Sequence, residues 1–190
     1  MLSHTVINDD TSKTIQLFDV ANATDHVDLI DSYNTSGVRI SELVHYRDGR
    51  SSLQNYTNNL PTSLVYTDSA NNQTWSTIVY AGYVAATAMW STMTINNDNG
   101  SKSIETFDTT GTDFWKDYTF NYDANGKRLS ETVDYRDGRT YASTFVNDVL
   151  STQSYFDTAN TNPWTSIAYV GYTPSLNLWS SITVSNDDGS

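Results

Sequence analysis

Leu129-Ser130-Glu131-Thr132-Val133-Asp134-Tyr135-Arg136-Asp137-Gly138-Arg139 carries the two signals that decide the fold. Leu129, Glu131, Val133 and Tyr135 alternate with Ser130, Thr132, Asp134 and Arg136. A period of two predicts a strand with one face half buried. Asp137-Gly138 then reads as a two-residue hairpin turn, because glycine adopts φ > 0 without steric cost. Asn99-Gly100, Asn125-Gly126 and Asp188-Gly189 mark similar turns, and no stretch of useful length shows a helical period.

The same signal occurs twice. Tyr46-Arg47-Asp48-Gly49-Arg50 precedes Tyr135-Arg136-Asp137-Gly138-Arg139 by a constant offset of 89 residues. Phe18-Asp19 and Phe107-Asp108, Gly82-Tyr83 and Gly171-Tyr172, and Trp90-Ser91 and Trp179-Ser180 keep that offset without a gap. The pattern divides the chain into a first copy at 1–89, a second at 90–178 and the start of a third at 179–190. Because the last residues break off within a copy, the sequence reads as a segment of a longer array, with Met1 an added start. Within each copy a weaker subrepeat, residues 94–118 against 119–143, predicts about three strand–turn–strand units. The expected fold is therefore all-β: tandem antiparallel hairpins forming an elongated sheet or a solenoid-like stack, with neighbouring repeats as partners.

Composition agrees. The 190 residues are 37 % hydrophobic, and much of that volume is aromatic: 13 Tyr, 6 Phe and 5 Trp. The net charge is −12, so nucleic acid and anionic membrane surfaces are excluded as expected partners. The 22 acidic residues are 3 Glu and otherwise Asp, a residue that favours turns. With no cysteine, disulfides and thiolate metal sites do not arise. The longest apolar stretch, Ile78 to Trp90, is too short for a spanning helix, so membrane insertion is not expected.

Tyr122-Asp123-Ala124-Asn125-Gly126-Lys127-Arg128-Leu129, followed by Asp137-Gly138-Arg139-Thr140, resembles the YD repeats of RHS-type bacterial surface and secreted proteins. The resemblance covers about 25 residues per copy, and the first copy has Tyr33-Asn34 in place of Tyr-Asp. It implies β-hairpin repeats in a long sheet or spiral and an extracellular setting.

Candidate chemistry follows the repeat. His4, His26 and His45 fall opposite Met93, Trp115 and Asp134, so a function shared by both copies uses no histidine. Asp134 and Asp137 flank a turn, but His45 replaces the first of them in copy one, which argues against a carboxylate dyad. Calcium favours oxygen ligands on loops, and Asp9, Asp98 and Asp187, supplemented by Asp19 and Asp108 and by Asp68 and Asp157, recur in phase. Calcium is thus the one cofactor the pattern admits, though none is required. Trp75, Trp90, Trp164, Trp179, Tyr83 and Tyr172 recur as aromatics able to stack on sugar rings or to fill a core. The expectation is a non-catalytic structural or adhesive module, secreted or on the cell surface. A carbohydrate-binding module is the first alternative and a glycoside-type hydrolase the second.

Overall fold

A computed structural model describes residues 1–189. The protein is all-β, with no helix among the described residues. The chain forms two compact units, Met1–Asp98 and a second from Asn99 onward. The first contains β1 (Leu2–Ile7), β2 (Lys13–Phe18), β3 (His26–Tyr33), β4 (Arg39–Tyr46), β5 (Arg50–Thr57), β6 (Leu60–Asp68), β7 (Trp75–Val84) and β8 (Met89–Asn97). The second contains β9 (Lys102–Phe107), β10 (Trp115–Tyr122), β11 (Arg128–Tyr135), β12 (Arg139–Val146), β13 (Val149–Asp157), β14 (Trp164–Thr173) and β15 (Leu178–Asn186).

Within each unit every strand pairs antiparallel with the next in sequence and, among the described residues, packs on no strand but its sequence neighbours. Each unit is therefore a one-layer meander, which selects the sheet over the solenoid-like stack. The unit boundary falls nine residues later than the copy boundary at 89, because a period does not fix its own phase. β8 stays with the first unit through its ladder to β7, from Val84↔Met89 to Trp75↔Asn97. The start of the third copy is likewise β15, the last strand of the second unit.

A one-layer sheet has no interior between layers, so side chains are shielded only by neighbours on the same face. Among the described residues Val133 is the one buried hydrophobic side chain, at 4 % exposure. It lies on the cross-strand row Tyr118↔Val133↔Tyr141↔Tyr155, flanked by rings. The equivalent row in the first unit is Leu29↔Val44↔Ser52↔Tyr66. The opposite faces differ between the units. Ile30↔Leu43↔Leu53↔Val65↔Val79 forms an aliphatic stripe in the first. Thr119↔Thr132↔Ala142↔Ser154↔Ala168 takes its place in the second.

The turns correct one expectation. Asp48-Gly49 and Asp137-Gly138 are not two-residue turns. Gly49 N–H donates to the Tyr46 carbonyl, Gly49 has φ +87°, and β5 resumes at Arg50. That is a three-residue loop in which glycine supplies the left-handed position after the turn. The true two-residue turns carry no glycine. Asn58-Asn59 (φ 52° and 64°) joins β5 to β6, and Asn147-Asp148 (φ 51° and 62°) joins β12 to β13. Short Asx side chains tolerate this backbone where larger residues do not.

Candidate functional site

Four loops share one construction. They begin at Asp19, Asp68, Asp108 and Asp157, each at or just after the end of a strand. The third residue after each Asp is left-handed: Asn22 (52°), Asn71 (52°), Gly111 (72°) and Asn160 (53°). The fifth donates its backbone N–H to the carboxylate: Thr24 and Gln73 at 2.8 Å, Asp113 at 2.9 Å, and Asn162. A register shift follows in each next strand, between His26 and Asp28, Trp75 and Thr77, Trp115 and Asp117, and Trp164 and Ser166.

Two of these loops are clasped by arginine. Arg47 Nη2 reaches Asp19 Oδ2 and the Asp19 carbonyl, both at 3.0 Å, while its Nε donates to the Thr24 carbonyl at 3.0 Å. Arg136 repeats this on Asp108 Oδ2 at 2.7 Å, the Asp108 carbonyl at 3.3 Å and the Asp113 carbonyl at 3.0 Å. Hydrogen bonds to the Thr24 backbone and hydroxyl hold the Asp19 carboxyl well below the usual range, with Arg47 adding to them. The Arg136 guanidinium does the same for Asp108. These two predicted calcium ligands are thus already engaged by donors. Asp9, Asp98 and Asp187 are exposed, and Asp9 shares no loop with Asp19. Among the described residues, no group of three or more His, Asp or Glu is arranged to hold a metal ion.

The predicted aromatics divide in two. Trp90 packs against Tyr83 at 5.2 Å between ring centroids, and Trp179 against Tyr172 at 4.9 Å. Gly82 and Gly171 enable both pairs. Each sits in a break in the ladder to the next strand, and a Cβ there would lie 2.0–2.1 Å from Ser91 Oγ or Ser180 Oγ. The ring series continues through Tyr80 to Tyr66 and through Tyr169 to Tyr155. Trp75 and Trp164 stand at the opposite ends of their strands, apart from these pairs. All six predicted aromatics are half-buried.

Sequence reasoning missed an aromatic cleft in the second unit. It encloses about 290 Å³ between Phe114, Trp115, Tyr118, Glu131, Val133, Tyr135, Tyr141, Gln153 and Tyr155. Phe114 stacks on Tyr135 at 5.7 Å and 14° and is 74 % exposed at the rim. Glu131 accepts hydrogen bonds from the Tyr118 hydroxyl and, at 3.2 Å, from Arg128. Burial first, and then that bond to Glu131, pushes the Tyr118 hydroxyl up. The available signal was Arg128-Leu-Ser-Glu131 repeating Arg39-Ile-Ser-Glu42, an ion pair at 2.6 Å in the first unit. Tyr46 and Tyr66 repeat Tyr135 and Tyr155, but Asp25, His26, Leu29 and Ser52 stand where the second unit has the rings of Phe114, Trp115, Tyr118 and Tyr141, and Leu64 stands in place of Gln153.

On the opposite face, Asp117 and Asp134 are cross-strand partners, with Glu105 one strand away. Burial, and then the neighbouring carboxylates, push Glu105 and Asp117 up. The first unit has Gln16, Asp28 and His45 here, and Asp28 accepts from Gln16 at 2.7 Å and lies 2.6 Å from His45 Nδ1.

No protein-family model matches this chain, and no curated protein matches it.

Proposed function

We propose that the chain is a non-catalytic structural and adhesive module of a large exported bacterial surface protein. The observation that carries this reading is the recurrence, 89 residues apart, of the Trp90–Tyr83 and Trp179–Tyr172 pairs on faces with no covering layer within their units. Half-open aromatic rows offer the same contact repeatedly along a chain. Many weak contacts then add up to avidity without any single tight site. The resemblance to YD repeats and the acidic, cysteine-free composition support an extracellular setting. Beads carrying one to four copies of the 89-residue repeat test this on a cell-surface layer. Retention should rise far more steeply than in proportion to copy number, and retention independent of copy number would contradict the reading.

One observation favours a second reading, in which the contact is a glycan. The cleft around Val133 sets aromatic rings beside the carboxylate of Glu131 and the amide of Gln153, which suits a sugar's apolar face and hydroxyl rim. A melting-temperature screen against soluble glycans decides it. A shift lost in Trp115→Ala supports glycan binding, and a flat response across the panel removes it.

A further inference from the structure

The cleft around Val133 also carries a preference of charge. Among the described residues that line it, Glu131 alone is charged. The arginines nearby are already matched to carboxylates. Arg128 Nη1 lies 3.2 Å from Glu131, Arg139 Nη2 lies 2.8 Å from Asp137, and Arg136 Nη2 lies 2.7 Å from Asp108. The chain as a whole carries a net charge of −12.

Glu131 retains acceptor capacity. One of its oxygens accepts from the Tyr118 hydroxyl and the other from Arg128, while an ionised carboxylate offers about four lone-pair sites. Its side chain is 12 % exposed and forms part of the cleft wall. The surrounding hydroxyls register its charge. Burial is the main cause that pushes Tyr118, Tyr135 and Tyr141 up, and the negative charge of Glu131 adds to it at all three. A carboxylate that opposes the ionisation of three neighbouring hydroxyls favours a cation in the space they border. The rings act in the same sense. Trp115 meets Tyr118 at 77° and Tyr141 is tilted 50° to Tyr155, so faces as well as edges border the cleft. A ring face attracts both apolar C–H groups and cations.

We infer that the cleft selects a glycan built of amino sugars with free amines, the pyranose lying against the rings and its ammonium donating to Glu131. This rests on the glycan reading of the cleft and names the sugar class. A neutral sugar satisfies the rings but leaves the carboxylate without a counter-charge, and an acidic sugar is repelled by it. There is one such site per chain. Arg39 and Glu42 repeat the ion pair in the first unit, but Arg39 also meets Asp31 there at 3.2 Å, and Asp25, His26, Leu29 and Ser52 replace four of the rings.

Calorimetric titration of the whole chain tests this with three hexamers of one linkage, differing only at the second ring carbon: glucose, N-acetylglucosamine and glucosamine. At mildly acidic pH, where the sugar amines are charged, the glucosamine hexamer should bind at one site per chain. It should bind about tenfold tighter than either neutral hexamer, because a charge-assisted hydrogen bond exceeds a neutral one. The preference should shrink as salt rises from ~0.05 to ~0.5 M. Glu131→Gln should bind the three alike, and Trp115→Ala should weaken all three. Asp9→Asn, which removes one negative charge in the first unit, should keep the wild-type preference. Equal binding of the three by wild type would overturn the inference and leave the glycan reading standing, whereas binding of none would remove both. Several glucosamine hexamers per chain, unaffected by Trp115→Ala, would mark general attraction to an acidic chain and would also overturn it.

Discussion

Arg136 Nη2 sits 2.7 Å from Asp108 Oδ2, and the carboxylate it holds is 2 % exposed although it lies in a surface loop. The neighbouring pair Arg139–Asp137 is as short, at 2.8 Å, but both of its partners are open to water. The two arginines lie three residues apart in one turn, so they make a matched comparison. Arg136→Ala should lower the melting temperature clearly, because a buried carboxylate loses its ion pair while the loop keeps it from water. Arg139→Ala should melt within error of wild type, as exposed pairs contribute little. Thermal scans of the two variants side by side check the ordering.

Gly82 answers to backbone geometry. At φ +67°, with Ser91 Oγ 2.0 Å from a hypothetical Cβ, alanine is strained and collides as well. Gly82→Ala should destabilise by more than ~1 kcal/mol in urea titration. Adding Ser91→Ala should recover only part of the loss, since the left-handed backbone remains.

Asn59→Gly should act in the opposite direction. Both central residues of the Asn58-Asn59 turn are left-handed, a conformation that costs most residues about 1–2 kcal/mol and glycine almost nothing. A gain of a few tenths to ~1 kcal/mol is expected by the same urea measurement.

Stability should pass through a maximum at mildly acidic pH. Glu105 and Asp117 have folded-state values pushed up, so their ionisation opposes folding near neutrality. Lowering the pH through those raised values, toward the unfolded carboxylate values of ~4, should stabilise the protein. Asp19 and Asp108 are pushed down, so their contribution is present above the unfolded value and is lost as the pH falls below it. Glu105→Gln/Asp134→Asn removes both neighbouring carboxylates from around Asp117. It should flatten the rise in stability as the pH falls from neutrality, and an unchanged rise would contradict this assignment.

The strands were legible in the sequence because alternation is a local property. Leu129, Val133 and the Asp137-Gly138 signal placed β11 and its turn without reference to anything distant. The repeat placed equivalent residues in both units for the same reason. The Asp loops were legible in principle: Asp19-Val-Ala-Asn22, Asp68-Ser-Ala-Asn71 and Asp157-Thr-Ala-Asn160 share a pattern. The 89-residue period pairs Asp19 with Asp108 and Asp68 with Asp157, but the spacing of 49 and then 40 residues between successive loops hides that all four share one construction. The cleft was not legible, because its walls come from β10 to β13 and four of its rings have no aromatic counterpart in the first unit. Cross-strand register, and not sequence distance, brings Tyr118, Tyr141 and Tyr155 together around Val133.

Each unit is a single layer, with neither face covered by another strand of that unit. Relaxation of ring protons by a soluble, uncharged paramagnetic probe tests it most directly. Strong enhancement at Tyr83, Trp90, Tyr172 and Trp179, together with enhancement at Leu53 and Ala142 on the opposite faces, is the predicted result. Silence across one whole face of either unit would mean that a second layer covers it, and would contradict the account.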